Sequence, residues 1–237
     1  MLTVLPDDSP DLQYSPLLRA ARLTLQFSQD NGGIGLTASG AFKRVFVHWA
    51  ADQFDWPGMG PDELFAVNRV LNEYDFVPLE ILHFILVRMK LGRHYKGTFR
   101  VTKRGAEFLS SPGALFAEMI PFFLFELDHT SYARFEDRPI GNWDVWLNFL
   151  NVEADQGARA GDLFEVLYGP VSGEENDWRA FGAFRQCVLE PLRWAGLLAE
   201  VSEPKQRLEE RHYVKTPLWR FALSLDTGEA LLPPQLH

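Results

Sequence analysis

The sequence predicts a mainly α fold with small β-hairpins (α+β), built from two modules of one design in tandem. Residues 77–109 are typical of a buried helix, a glycine stop, a short β-hairpin and a second helix that begins after a threonine. A longer version of this pattern recurs in residues 177–223. A hairpin that closes a three-helix core is the pattern of a winged helix, so we expect two winged-helix-like modules in tandem.

The first module, predicted at residues 1–127, contains several helices before its hairpin. We expect helices at 16–26, 37–54, 62–72 and 78–91, with a short strand at 34–36. Pro78 suits the first turn of helix 78–91, where its missing N–H costs nothing. Gly92 is expected at the C′ position of that helix, because a positive φ is cheap for glycine.

The hairpin of the first module follows that helix directly. Lys96-Gly97 is a turn signal, and residues 98–101 suit a strand. Thr102 can cap a helix at 103–110. Residues 128–141 are polar and contain proline and glycine, which predicts a linker between the two modules.

The second module, predicted at residues 142–237, repeats this order. We expect helices that begin after Asn142 and Asp162, a helix at 177–195 kinked at Pro191, hairpin arms at 197–201 and 212–215, and a last helix at 216–223. Aligning 101–109 with 215–223 places Thr102 on Thr216, and the Leu-Gly pair at 91–92 then matches the Ala-Gly pair at 195–196. Two matched helix ends in one chain favour a duplicated module.

Charge and cysteine content exclude several classes of function. The 237-residue chain carries a formal net charge of −9, which argues against a nonspecific polyanion binder. With Cys187 as its single cysteine, the chain cannot form an intramolecular disulfide or a cysteine zinc cluster. The acidic N-terminus lacks the basic start of a signal peptide, and the most apolar window, 115–127, is shorter than the roughly 20 residues that span a bilayer. We therefore expect a cytoplasmic protein with no membrane partner.

A basic segment is the clearest candidate site. Residues 88–104 contain no acid and seven basic side chains: Arg88, Lys90, Arg93, Lys96, Arg100, Lys103 and Arg104. The chain has 23 Lys and Arg against 32 Asp and Glu, so 16 basic residues remain elsewhere and the rest of the chain carries about −16. This segregation predicts a positive wing that contacts the phosphates of double-stranded DNA. The alternative is a solvated hairpin whose cations pair with acidic loops of the second module.

The helix before the hairpin favours a different partner. Its polar strip is narrow, with Glu80, His83 and Lys90 and with Val87 among them, whereas a DNA-reading helix needs long polar side chains. On helix 177–195 a set of long polar side chains is expected to be exposed and to suit a polyanion: Arg179, Arg185, Gln186 and Arg193. The sequence thus predicts a DNA-binding or transcription-associated protein, with a protein–protein interaction module without nucleic-acid binding as the alternative.

No catalytic constellation emerges from the residue pattern. The histidines His48, His83, His94 and His212 lack the i, i+4 spacing typical of a metal site on a helix. No nucleophile with an adjacent base is visible. We therefore expect no catalytic residue, no bound metal and no cofactor.

Two stretches carry a family resemblance. GIGLTASGAFKRVFVHWA (33–50), followed by LGRHYKGTFRVTKRGAEFL (91–109), resembles a segment of bacterial plasmid pRiA4b ORF-3-like proteins, with Val101 where that family has leucine. The resemblance covers roughly residues 30–112. It implies a bacterial protein linked to mobile elements, with winged-helix character, and it brings no catalytic residues with it.

Overall fold

The structure is a computed structural model that describes residues 2–133, 137–170, 175–203 and 205–231. It divides into a first compact unit, Val4–Ile120, and a second unit formed by the described residues from Pro121 onward together with Leu2 and Thr3. The described residues are mainly helical and their strands form small antiparallel sheets, which confirms the α+β class. The module bounds and linker expected from the sequence stay a prediction, and residues 134–136 of that linker lie outside the described residues.

The first unit consists of helices around one small sheet. The helices are α1 (Pro16–Asp30), α2 (Arg44–Gln53), α3 (Pro61–Val67), α4 (Val77–Arg88), α5 (Lys103–Leu109) and α6 (Pro112–Pro121), with 3₁₀ turns at Pro10–Tyr14 and Glu73–Asp75. The strands are β1 (Ile34–Gly35), β2 (Gly92–Tyr95) and β3 (Thr98–Val101). They pair antiparallel in the order β1-β3-β2, so the last strand of the hairpin lies in the middle of the sheet.

Aromatic rings fill the core of the first unit. Phe42, Phe54, Phe76 and Phe99 are buried. The ring of Phe42 contacts those of Phe46 and Phe99 edge to face, with centroids 4.8 and 5.4 Å apart. Such pairs stabilise a core by about 0.5–1.5 kcal/mol beyond the burial of their area. Through Phe99 this core extends directly into strand β3 and holds the hairpin.

The prediction of a helix that begins at residue 37 was wrong. The Thr37 N–H donates to the Ala41 carbonyl at 2.8 Å, and Leu36 pairs with Phe42 in an isolated antiparallel bridge. The chain therefore doubles back in a tight loop and enters α2 at Arg44, because this path delivers Phe42 to the core. The predicted helices 62–72 and 78–91 also end early, at Val67 and Arg88.

The expectation that Gly92 ends α4 with a positive φ was also wrong. Lys90 takes the left-handed conformation, with φ 59°. The Lys90 N–H donates to the Val87 carbonyl at 3.0 Å and the Leu91 N–H to the Leu86 carbonyl at 2.9 Å, which is the bond pattern of a Schellman motif. Gly92 instead begins β2, and it must be glycine because a Cβ there would overlap the ring of Phe99.

The hairpin turn is as tight as the sequence predicts. Tyr95 pairs with Thr98, so Lys96 and Gly97 form a two-residue loop. Their φ values are 48° and 72°. Positive φ at both positions is the type I′ geometry, which matches the right-handed twist of the strands. Thr102 caps α5 by accepting from the Gly105 N–H at 3.0 Å, as expected.

The second unit has its own helices and sheet. The helices are α7 (Trp143–Glu153), α8 (Ala160–Tyr168), α9 (Glu175–Phe184), α10 (Glu190–Ala195) and α11 (Pro217–Ala222). The strands are β4 (Ala158–Arg159), β5 (Leu198–Val201) and β6 (His212–Lys215), paired antiparallel in the order β4-β6-β5. A π turn, Arg185–Leu189, joins α9 to α10 and interrupts the helix just before Pro191, where a kink was expected.

The two units share one sheet order and one way of closing the hairpin. The Thr102 N–H donates to Leu91 at 2.9 Å, and the Thr216 N–H donates to Leu197 at 3.0 Å. The alignment of Thr102 with Thr216 is confirmed. The alignment of Gly92 with Gly196 is wrong, because Gly196 corresponds to the residue two positions before Gly92. Leu91 corresponds to Leu197, so Lys90 corresponds to Gly196, which has a φ of 84°.

Local expectations in the second unit had mixed outcomes. Asn142 caps α7, since its side chain accepts from the Val145 N–H at 3.0 Å. Asp162 does not cap α8, which begins two residues earlier, and its carboxylate instead accepts from the Arg159 side chain at 2.8 Å. A carboxylate inside the first turn is still favourable, because the exposed N–H groups there attract negative charge.

Among the described residues, no single helix is long and apolar enough to cross a membrane. One pair, Lys103–Leu109 with Pro112–Glu126, meets the length and composition test only when taken together, and it is bent by 118°.

Candidate functional site

The basic residues of the first unit form one exposed set around the hairpin. All seven predicted site residues are exposed: Arg88, Lys90, Arg93, Lys96, Arg100, Lys103 and Arg104. We call this set the basic hairpin surface. Arg88 and Lys90 lie where α4 ends, the next three lie on the hairpin, and the last two lie in the first turn of α5.

Three cations of the basic hairpin surface surround one aromatic ring. Arg93, Lys96 and Arg100 lie 5.5, 5.3 and 5.3 Å from the centroid of the Tyr95 ring. Arg93 stands directly opposite Arg100 across the strands. Like charges in such a pair destabilise a hairpin unless an anion lies between them. The ring of Tyr95, 42% exposed, offers each cation an attractive face.

Few acids neutralise this surface. Arg104 pairs with Glu118, and Lys103 lies 3.9 Å from Glu107. The other five cations form no ion pair with any acid in the part of the chain that the structure describes. Residues 171–174 of the expected acidic loop lie outside that part. The alternative that the hairpin cations are paired within the chain thus gains no support from the described ion pairs.

Two apolar side chains are exposed on α4 beside Glu80 and the last residue of the helix, Arg88. Glu80, Phe84 and Val87 point to solvent, and Phe84 is 52% exposed. Tyr74, in the 3₁₀ turn before the helix, is 64% exposed beside them. The prediction that His83 belongs to the exposed polar strip was wrong, because His83 is buried with 7% exposure.

His83 belongs to a hydrogen-bonded chain of three side chains that the sequence did not reveal. Its Nδ1 lies 2.6 Å from Oε1 of Glu73, and its Nε2 lies 2.8 Å from Nε2 of His94. Glu73 is also buried, at 3% exposure, and its other oxygen accepts from the Phe42 N–H. The ring of Phe42 stacks on the imidazole of His83 at 3.8 Å. Backbone, carboxylate and aromatic ring together fix the His83 orientation.

These side chains lie in a cleft of about 450 Å³, which we call the histidine cleft. Its lining combines loop, turn, helix and strand residues: Ser39, Gly40, Ala41, Glu73, Tyr74, Glu80, His83, Phe84, Val87 and His94. Desolvation and the nearby Glu73 carboxylate raise the pKa of Glu80. Desolvation, with the neighbouring His83, lowers the pKa of His94 and favours its neutral form. The cleft thus presents an imidazole that favours its neutral form, that of His94, beside the carboxyl groups of Glu73 and Glu80.

The spacing of the histidine cleft explains why the sequence did not reveal it. Glu73, His83 and His94 come from a 3₁₀ turn, a helix and a strand, and no short motif links such elements. In the described part of the chain no group of three or more His, Cys, Asp or Glu side chains is arranged to hold a metal ion.

The three arginines that were expected to be exposed on helix 177–195 pair with acids. Glu190 accepts from Arg185 at 2.8 Å and from Arg193 at 2.7 Å. Arg179 pairs with Asp137 at 2.9 Å. The expectation that Arg185 and Arg193 are exposed for a polyanion was wrong, since their side chains are only 22% and 15% exposed. The described cations of α9 and of the segment up to Ala195 therefore have acidic partners, whereas Arg93, Lys96 and Arg100 on the first unit's hairpin have none among the described residues.

These features define a mainly helical protein of two compact units, one of which carries an unneutralised cationic hairpin. Comparison with known proteins gives its family: the Y4jL N-terminal domain matches residues 13–114, and the y4jL C-terminal domain matches residues 133–217. The uncharacterized protein y4jL of Sinorhizobium fredii (strain NBRC 101917 / NGR234) is 41% identical over 162 residues, which cover 68% of this chain and 74% of that protein. The chain belongs to the y4jL family. No solved structure matches it.

The family assignment confirms the coarser part of the expected resemblance, an uncharacterised bacterial family. The likeness to pRiA4b ORF-3-like proteins stays a prediction.

Proposed function

We propose that the protein is a double-stranded DNA-binding, transcription-associated protein that uses the hairpin β2–β3 as a basic wing. The observation that carries the proposal is the group of Arg93, Lys96 and Arg100 around Tyr95, without an acidic partner among the described residues. A phosphate group between these cations removes the like-charge repulsion that the free hairpin bears.

The topology of each unit supports a winged-helix reading. In the first unit α1, β1, α2 and α4 precede the hairpin, and the sheet order β1-β3-β2 places β1 against the returning arm. The second unit has the same order of helices and strands, which favours two winged-helix-like modules in tandem. Fold alone does not give function, so the proposal rests on the charge of the first hairpin.

The exposed side chains of the hairpin and of α4 favour contact with DNA phosphates over sequence-specific contact with bases. A recognition helix discriminates bases with long polar side chains, whereas α4 exposes Glu80, Phe84 and Val87 and has its one arginine, Arg88, at its last position. Glu80 also repels phosphate. We therefore expect binding that is similar for all duplex sequences and strongly dependent on salt, because phosphate contacts release counterions.

A protein–protein interaction module without nucleic-acid binding is the second candidate. The exposed apolar side chains Tyr74, Phe84 and Val87 favour it, because they form a neighbouring set beside the histidine cleft. The two candidates predict opposite results for duplex binding, which makes them separable by one experiment.

The experiment compares two triple variants for binding to a random-sequence duplex at low salt, followed by fluorescence anisotropy. The test variant carries Arg93→Ala, Lys96→Ala and Arg100→Ala. The control variant removes the same charge at three exposed arginines outside the hairpin: Arg22→Ala, Arg69→Ala and Arg220→Ala. Three exposed charge pairs at up to about 1 kcal/mol each predict an affinity loss of roughly tenfold to hundredfold in the test variant.

The control variant should bind within a few-fold of the wild type, because its loss of net charge acts only at long range. Circular dichroism must show both variants folded, as expected from the exposure of all six side chains. Equal losses of duplex affinity in both variants would show that the net charge of the protein, and not the wing, accounts for binding. Absence of duplex binding by the wild type would leave the interaction module as the better proposal.

A further inference from the structure

We propose that the histidine cleft is a docking site for a lysine or arginine side chain of a protein partner, with the alkyl stem against Tyr74 and Phe84 and the charged end at Glu80. The inference builds on the exposed apolar set that supports the second candidate function, and it holds whether or not the hairpin binds DNA. The cleft lies where α4 and β2 meet, and none of its lining residues belongs to the basic hairpin surface.

Glu80 supplies the negative charge that a cationic partner needs. Its side chain is exposed and lines the cleft. It forms no ion pair with a lysine or arginine in the described part of the chain. Desolvation and then the nearby Glu73 carboxylate raise the pKa of Glu80, because both disfavour its charged form. A cation beside Glu80 offsets this repulsion, whereas an anionic ligand adds to it.

Exposed apolar side chains form the wall beside that charge. Tyr74, Phe84 and Val87 are 64%, 52% and 37% exposed, and all three line the cleft. Phe84 and Val87 stand at i+4 and i+7 from Glu80, so the three share one face of α4. Aromatic faces attract ammonium and guanidinium groups, and a long alkyl stem covers apolar surface while its charged end reaches an acid. Lysine and arginine combine both properties.

Hydrogen bonds within the chain hold the walls of the cleft in place. The Tyr74 hydroxyl accepts from the Asn72 side-chain amide at 3.0 Å, and the oxygen of that amide accepts from Arg44 at 2.9 Å. Glu73, at the buried side of the cleft, is held by His83 at 2.6 Å. A site whose side chains are already ordered loses little conformational entropy when a partner binds.

The basic hairpin surface lies on the other face of β2. Successive side chains of a strand point to opposite faces, so His94 and Arg93 face in opposite directions. His94 pairs with the buried Phe99, which places His94 on the core side of the hairpin. Arg88 is the last residue of α4 and does not line the cleft. Strand alternation therefore separates a site for a cation from a site for phosphate.

The test titrates the full chain, labelled with ¹⁵N, with blocked five-residue peptides and follows amide chemical shifts by NMR. The peptides differ only in the central residue between two leucines, which is lysine, arginine, norleucine or glutamate. We expect saturable shifts at the cleft residues with a cationic peptide, at an affinity about fivefold above that of the norleucine peptide, which keeps the stem and lacks the charge. The glutamate peptide should bind more weakly still. The tighter of the lysine and arginine peptides identifies the preferred cation.

Two variants, each with a matched control, assign the binding to the cleft. Glu80→Gln should weaken binding of the cationic peptide about fivefold, to the affinity of the norleucine peptide. Glu153→Gln removes an exposed carboxylate on α7 and should bind as the wild type does. Phe84→Ala should weaken binding of every peptide, whereas Phe221→Ala, which removes a ring of equal 52% exposure on α11, should not.

The triple variant Arg93→Ala, Lys96→Ala and Arg100→Ala should bind the cationic peptide as the wild type does, so failure at the cleft and failure of the DNA-binding wing are read separately. Equal affinity of the wild type for the lysine, arginine and norleucine peptides would overturn the proposal. Wild-type affinity in a folded Glu80→Gln variant, or the absence of saturable shifts at the cleft with both cationic peptides, would also overturn it.

Discussion

Two substitutions at neighbouring positions test how α4 ends and how the hairpin packs. If Lys90 is the left-handed residue of the helix end, Lys90→Gly should stabilise the first unit. The left-handed conformation costs an L-residue roughly 1–2 kcal/mol, and glycine loses roughly 0.5–1 kcal/mol more backbone entropy on folding. The difference predicts a gain of about 0.5–1 kcal/mol in the free energy of unfolding, as at Gly196 in the second unit.

Gly92→Ala should act in the opposite direction. A Cβ at this position overlaps the Phe99 ring, and even the more distant Cε1 atom lies only 2.9 Å away. Phe99 is fully buried, with the rings of Phe42 and His83 each 5.4 Å from it, so it cannot turn aside. Overpacking of this kind costs about 1–3 kcal/mol.

Both effects can be read by urea unfolding of the full chain, with native-state hydrogen exchange of peptides from α4 and the hairpin to assign the change to the first unit. Gly182→Ala in α9 is the control for a glycine replacement, because its Cβ meets no neighbour within 4 Å. Gly182→Ala should raise the free energy of unfolding by about 0.5–1 kcal/mol. A neutral Gly92→Ala together with a destabilising Lys90→Gly would refute this account of the helix end.

Two further predictions concern the second unit. Burial lowers the pKa of His129 to about 4 from 6.5, so the unfolded chain binds a proton that the folded chain excludes. The free energy of unfolding should therefore fall as the pH falls below 6.5, by about 2 kcal/mol from pH 7 to pH 5. Urea titrations that give His129→Gln the same pH dependence as the wild type would contradict this. Glu190→Ala leaves the partly buried Arg185 without its carboxylate and Arg193 with Glu200 alone, at 3.7 Å, so it should cost about 3 kcal/mol of unfolding free energy, the lower end for a broken buried pair. A loss below 1 kcal/mol would show that water or other acids replace Glu190.

Local chemistry made the hairpins predictable. Lys96-Gly97 demands a turn with two positive φ angles, and Thr102 has the side chain that a helix N-cap needs. Strands β1 and β4 have two residues each and exist through pairing with β3 and β6, so nothing local distinguishes them. Of these, the sequence suggested β1 through Ile34 and missed β4.

The remaining errors arise where packing overrules local preference. Lysine seldom takes a positive φ, so Gly92 was the natural choice for the end of α4, although the glycine is needed for Phe99. The loop after Thr37 replaces a helix turn because Phe42 must reach the core. Tertiary context regularly overrides such propensities.

The two candidate sites differ in how far the sequence could identify them. A run of cations without acids is visible in the sequence, and all seven side chains are exposed. The chain from Glu73 through His83 to His94 is not visible, because its members come together only in the folded unit.

The salt dependence of duplex binding tests the proposed wing most directly. For the wild type and both triple variants, the logarithm of the association constant is plotted against the logarithm of salt concentration for a random-sequence duplex. If Arg93, Lys96 and Arg100 each contact a phosphate, the slope of the wing variant should be smaller in magnitude by about 2.7, with about 0.9 for each contact. The slope of the Arg22, Arg69 and Arg220 variant should equal that of the wild type. A wing variant that keeps the wild-type slope and affinity would contradict the proposed function.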